Sequence, residues 1–96
     1  MNHVELTACI AEASPLRYTP AGIPAANFVL EHESEVTEAG QHRQVKVAVR
    51  AVAFGSTAET LGKQAIGSNW QFTGFLATPR NGKHPVFHIQ SFEQII

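Results

Sequence analysis

The chain has 96 residues, 44% hydrophobic and 16% charged, with a formal net charge of −1, a profile that suits one domain, residues 1–96, around one modest core. No apolar run approaches the roughly 20 residues of a membrane helix, and Met1-Asn2-His3-Val4-Glu5 lacks the basic start and apolar stretch of a signal peptide. A single cysteine, Cys9, excludes an internal disulfide, so a reducing, cytoplasmic setting is expected.

Period-two alternation dominates the pattern, which is the signature of strands. In the first segment Val4, Leu6, Ala8 and Ile10 alternate with His3, Glu5, Thr7 and Cys9. Pro15, Pro20, Gly22 and Pro24 then punctuate a loop. A second strand is predicted at about Asn27–Glu33, with Phe28 and Leu30 facing one way, and the acidic stretch Glu33–Gly40 reads as an exposed hairpin connection. The third strand, Arg43–Phe54, sets Val45, Val47, Val49 and Ala51 against Gln44, Lys46, Ala48 and Arg50. Side chains two apart lie on one face roughly 6.6 Å from each other. That spacing turns the valines inward and leaves Lys46 and Arg50, with Gln44 and His42 beside them, on a wet cationic face.

Ser56-Thr57-Ala58-Glu59 matches a helix-starting capping box. A short helical piece would follow, with Leu61, Ala65 and Ile66 as its buried stripe and Gly67 as its end. The fourth strand, Asn69–Thr78, holds Trp70, Phe72 and Leu76, and Gly74 in its interior signals a bulge. Asn81-Gly82 reads as a two-residue hairpin turn into a fifth strand at about His84–Phe92. Five strands, a proline-containing loop after the first, a helical turn between the third and fourth and a final hairpin suit an all-β, five-stranded OB-fold barrel. An SH3-like barrel is the competitor, but its helical element normally falls later in the chain.

Enzyme chemistry finds no foothold. The sequence contains no Asp and no GxSxG, P-loop, CxxC or HExxH pattern. Cys9 sits in mid-strand without a nucleophile signature and is expected to be structural. His84 and His88 are four apart, but on a strand that is roughly 13 Å, too far for two imidazoles to share a zinc ion. No metal or cofactor is expected. Trp70 shares its phase with Phe72, so it is read as a core residue, leaving Phe75 and one member of the fifth strand as candidates for the outside.

Charge is the better guide to function. Residues 1–42 hold Arg17 as their one basic side chain against six glutamates, whereas residues 43–96 hold Arg43, Lys46, Arg50, Lys63, Arg80 and Lys83 against Glu59 and Glu93. In an OB-fold the outer face of the second and third strands and the last hairpin loop form the usual nucleic-acid surface. Arg43, Lys46 and Arg50 would meet Arg80 and Lys83 there in one groove. Arg17, His42, Gln44 and His84 are secondary candidates, and a merely solvated face is the plainer reading.

Several landmarks in order strengthen this. Ser14-Pro15-Leu16-Arg17, Gly22-Ile23-Pro24, Phe28-Val29-Leu30-Glu31-His32, Glu38-Ala39-Gly40, His42-Arg43-Gln44, Gly67-Ser68, Gly74-Phe75, Asn81-Gly82 and Glu93-Gln94-Ile95 closely resemble the PriB family of primosomal proteins. That family belongs to the bacterial single-stranded-DNA-binding (SSB-like) OB-folds. The similarity runs from about residue 2 to residue 95, and Gly22 to Gln44 is its most specific part.

The resemblance implies a homodimer without enzymatic activity that binds single-stranded DNA and the PriA helicase. It further implies stimulation of PriA unwinding at stalled replication forks in the nucleoid, and hand-over to a helicase-loading partner such as DnaT. The chain departs from the family where better-known members carry outer-face aromatics, having Gln41 and Lys46 there, and where their lysine-rich loop becomes Thr78-Pro79-Arg80-Asn81-Gly82-Lys83. Fewer stacking platforms, each worth roughly 1–3 kcal/mol per base, imply modest, salt-sensitive binding. The alternatives are an interaction module that mainly docks the helicase, and an ordinary SSB, which is disfavoured because the sequence runs to Ile96 without an acidic, glycine-rich tail.

Overall fold

The computed structural model describes residues 1–95. Its elements are β1 (Val4–Ala13), β2 (Arg17–Tyr18), β3 (Pro24–Glu38), β4 (Gln41–Phe54), α1 (Ser56–Leu61), β5 (Asn69–Ala77) and β6 (Val86–Glu93). Strand pairings run β1-β5-β6-β4-β3, and a further β1–β3 pairing closes them into a ring. The closure depends on β1 serving two neighbours. Val4–Cys9 pair antiparallel with β5, Cys9–Ala13 pair with β3, and a bulge between Ile10 and Glu12 bends the strand from one to the other. Parallel pairing of Ala51–Ala53 with Phe87–Ile89 joins β4 to β6. The expected five strands therefore form the ring, and β2 adds a two-residue strap across the start of β3.

Alternation places Ile10, Phe28, Leu30, Ala51, Ala53, Phe72, Phe87 and Ile89 in the interior. Ala58 and Leu61 of α1 join this core, and the helix packs on β3, β4 and β6. Trp70 is half-buried, edge-on to Phe92 with ring centroids 5.1 Å apart, and its indole N–H donates to Ser68 Oγ at 2.9 Å. The core role assigned to it holds. At Gly74 the ladder slips by one residue against β6, and a Cβ there would lie 1.8 Å from the His88 carbonyl oxygen. Glycine is required because backbone occupies the space of a side chain.

The β3–β4 hairpin corrects the sequence reading. Its pairing runs without interruption from Ala25↔Phe54 to Glu38↔Gln41, so Glu33–Glu38 are strand and not connection. Ala39 and Gly40 make the turn, both at positive φ (52° and 76°), the backbone of a primed two-residue turn. Beyond Leu30 and Val49 the hairpin leaves the ring as a two-stranded ribbon, and the molecule is drawn out to 50 × 30 × 22 Å. Val47 is consequently 43% exposed and Val45 half-buried instead of facing a barrel interior. There is no interior at that height.

Three further expectations fail on local backbone chemistry. Gly55, at φ 70°, is the N-cap of α1 and no side chain caps it. The Gly55 N–H bonds the Pro24 carbonyl at 2.8 Å, which fixes a sharp exit from β4 and puts Ser56 inside the helix, past the capping position. α1 also ends at Leu61, because Gly67 N–H bonds the Ile10 carbonyl at 2.7 Å and draws the chain towards β1. Ile66 is left 59% exposed and Ala65 exposed too. In the last connection, pairing stops at Ala77↔Val86. Pro79 and Pro85 have no N–H to extend it, and the turn closes from Gly82 N–H to the Pro79 carbonyl at 2.9 Å, with Arg80 and Asn81 at its centre. Asn81-Gly82 is therefore not a two-residue hairpin turn.

Candidate nucleic-acid interface

The outer row of β4 contains Gln44, Lys46, Ala48, Arg50, Val52 and Phe54, and register sets it beside Glu35, Glu33, Glu31, Val29, Asn27 and Ala25 of β3. The expected cationic face is thus a face of mixed charge. Lys46 Nζ lies 3.7 Å from Glu33 Oε1, which also accepts from Gln44 Nε2 at 2.6 Å. Alternation turns Arg43 to the opposite face of the ribbon, where it is the register partner of Val36, and its Nε lies 3.0 Å from Glu38 Oε1. The cause is the acidic run itself. As strand and not loop, it sets Glu33 directly opposite Lys46 and brings Glu38 onto the face of Arg43. His42 stands near the ribbon's tip as the partner of Thr37 and is exposed.

Arg50 has a different setting. It is four residues from Lys46, roughly 13 Å along the strand, and it is the partner of Val29. A groove of about 530 Å³ lined by Glu12, Ser14, Asn27, Val29, Arg50 and Val86 runs past it. Arg17 enters from the β2 strap and donates from Nη1 to Asn27 Oδ1, while the Ser14 hydroxyl accepts from Asn27 N–H at 2.9 Å. Val86 is the first residue of β6, directly after the exposed loop that carries Arg80, Lys83 and His84. Arg50 and Val86, at the foot of that loop, thus line one groove, and Arg17 is hydrogen-bonded to Asn27, another of its lining residues. Lys46 lines a separate groove of about 580 Å³ with Thr7, Cys9, Glu31 and Glu33. Among the described residues, Arg50, Arg80 and Lys83 have no ion-pair partner.

An outer aromatic stack went unread in the sequence. Phe75 lies outside as expected, but the fifth-strand ring beside it is His88, whereas Phe87 and Phe92 pack in and against the core. Phe75 and His88 are stacked with centroids 4.8 Å apart and 17° between planes. Phe54, 43% exposed, continues the stack at 6.0 Å and 29°. The signal was present, since Phe54 shares its phase with Lys46 and Arg50. Among the described residues, no group of three or more His, Cys, Asp or Glu side chains could hold a metal ion, and no helix is long and apolar enough to cross a membrane.

A family model described as a single-strand binding protein family matches residues 2–91. The replication restart protein PriB of Bordetella pertussis is 43% identical over 96 residues, spanning 99% of this chain and 90% of that protein. PriB of Neisseria gonorrhoeae is 37% identical over 102 residues, with 97% and 93% covered. Among solved structures, PriB of Ralstonia solanacearum superposes with a TM-score of 0.89 at 37% identity, covering 98% of this chain and 97% of that one. The single-stranded DNA binding protein of Thermus aquaticus shares the OB-fold alone, with a TM-score of 0.78 at 22% identity, covering all (100%) of this chain and 51% of that one. With its ring of strands and these likenesses over nearly its whole length, the chain belongs to the single-strand binding protein family and, within it, to the PriB replication restart proteins.

Proposed function

We propose that this chain, as one OB-fold domain over residues 1–96, is a non-enzymatic accessory protein of replication restart that binds single-stranded DNA. The observation that carries the reading is the groove lined by Arg50 and by Val86, at the foot of the Arg80–Lys83 loop, with Arg17 hydrogen-bonded to Asn27, another of its lining residues. Guanidinium groups in such a groove pair with phosphates, and the binding they give is salt-dependent and tolerant of sequence. Lys46, farther along the same outer row, and Arg43, on the opposite face of the ribbon, add phosphate contacts outside that groove once phosphate displaces Glu33 and Glu38. Gln44, His42 and His84 are peripheral contacts. Through the same family likeness, the protein acts with the PriA helicase, stimulates its unwinding and passes the fork to a loader such as DnaT. It does so as a homodimer, for which the edge of β1 over Val4–Ala8, paired with β5 on one side only, is a candidate contact.

The test is titration of a fluorescent oligo-dT at several salt concentrations with the wild type and Arg50→Ala/Arg80→Ala. Each lost phosphate contact should make the log–log salt slope shallower by about 0.7. Unchanged affinity and slope would refute the site. A second reading, docking of the helicase with weak DNA contact, draws support from the ion pairs that occupy Lys46 and Arg43. Capture of purified PriA by a variant that no longer binds DNA would favour it.

A further inference from the structure

We propose that His32 is a positioning residue: its imidazole pins the β3–β4 ribbon to β1 and so holds Lys46 in line with Arg50, a role whose DNA half rests on the single-stranded DNA reading above. Backbone pairing between β1 and β3 ends at Cys9↔Glu31, whereas β3 and β4 stay paired as far as Glu38↔Gln41. His32, the next residue, continues the seam with its side chain instead. Its Nδ1 lies 2.5 Å from the Thr7 carbonyl oxygen of β1, and its Nε2 lies 2.8 Å from Ser34 Oγ. A carbonyl only accepts, so Nδ1 carries the proton and donates, and Nε2 accepts from the Ser34 hydroxyl. Both imidazole nitrogens are thereby satisfied in one orientation.

Little else holds the root of the ribbon. Among the described residues, this is the one side-chain hydrogen bond or ion pair that joins residues 32–48 to the ring, since Gln44–Glu33, Lys46–Glu33 and Arg43–Glu38 all lie within the ribbon. Apolar packing fades at the same height: Val49 still touches the core, but Val47, the register partner of His32, is 43% exposed. β1 and the ribbon diverge around the groove lined by Thr7, Cys9, Glu31, His32 and Lys46, and the imidazole spans the apex of that gap. A two-stranded ribbon without a third strand or a core is marginally ordered by itself, and this one runs on from His32 to Glu38, roughly 20 Å. Lys46 is the partner of Glu33, immediately beyond the pin, on the outer row that Arg50 shares. The ribbon bends most readily where ring pairing stops, between these two cations. The pin therefore decides whether Lys46 meets the DNA in a preset place or must be ordered on binding.

NMR order parameters of the backbone amides test the pin, and salt titrations of oligo-dT test its consequence. In the wild type, residues 32–35 and 44–47 should match the ring at about 0.85, and in His32→Phe, which keeps aromatic bulk without a donor, they should fall towards about 0.6 while the ring is unchanged. His32→Asn, whose amide nitrogen takes the place of Nδ1, should restore the wild-type values. Order parameters that stay put in His32→Phe, or that fall equally in His32→Asn, would overturn the pin. Should His32→Phe not fold, Ser34→Ala frees the imidazole without removing it, and unchanged values there would overturn the pin too. Glu33→Gln, which releases Lys46, should steepen the log–log salt slope by about 0.7 in the otherwise native chain, and His32→Phe/Glu33→Gln should lose that gain. A gain undiminished in the loosened protein would overturn the positioning of Lys46. A wild type that binds no oligo-dT would instead overturn the DNA reading, while the order parameters, read without DNA, still decide the pin.

Discussion

Replacing Glu33 and Glu38 with glutamine should strengthen DNA binding and steepen its dependence on salt. Glu33 holds Lys46 at 3.7 Å and Glu38 holds Arg43 at 3.0 Å, with all four side chains more than half exposed. Exposed pairs of this kind contribute less than about 1 kcal/mol, so thermal stability should hardly move. Their effect falls on the competition with phosphate. With Arg17, Arg50, Arg80 and Lys83 outside any ion pair among the described residues and two cations engaged, a slope of about −2.8 is expected at roughly −0.7 per phosphate contact on a single strand. Releasing Arg43 and Lys46 raises it to about −4.2. Between about 50 and about 200 mM salt the wild type should lose about 50-fold in affinity and the double variant about 340-fold. Fluorescence anisotropy with oligo-dT at four or five salt concentrations measures both lines. Parallel lines would refute the idea that the carboxylates hold these cations back.

Gly74→Ala should destabilise the fold by about 3 kcal/mol or more, since the added methyl meets the His88 backbone oxygen at 1.8 Å and neither strand can move without breaking the ladder; thermal denaturation reads it, and an unchanged midpoint would contradict the close approach. Ala39→Asn should stabilise by up to about 1 kcal/mol, because Ala39 holds φ 52° in a two-residue turn that favours Asn-Gly. A denaturant midpoint that stays put or falls would count against the turn assignment.

Strand alternation made most of the ring legible. The core positions of β1 and β3 follow from period two, and Gly74 declared its bulge, but β5 and β6 lose phase there and Leu76 is left 41% exposed. Less readable was anything set by the partner strand. Lys46 and Arg43 look free along their own segment, and their neutralisation depends on register with Glu33 and Glu38, which begins only at the Ala39-Gly40 turn. An acidic polar stretch resembles a loop when its hydrophobic alternation is lost, and here it is lost because the ribbon has left the core. The Phe54–His88–Phe75 stack was hidden for a related reason. Its members come from three strands, and aromatic residues are assigned to the interior by default. Turn chemistry misled where proline intervened, as at Pro79 and Pro85, and where Gly55 took the capping position ahead of Ser56.

The doubly engaged first strand has a bearing on how the molecule comes apart. With its leading half zipped to β5 and its trailing half to β3, detaching β1 severs both seams at once and exposes Ile10 together with the phenylalanines behind it. No half of the ring keeps a sealed interior after that loss, so partial melting gains little, and the protein is built to unravel as a unit while the outlying ribbon frays independently.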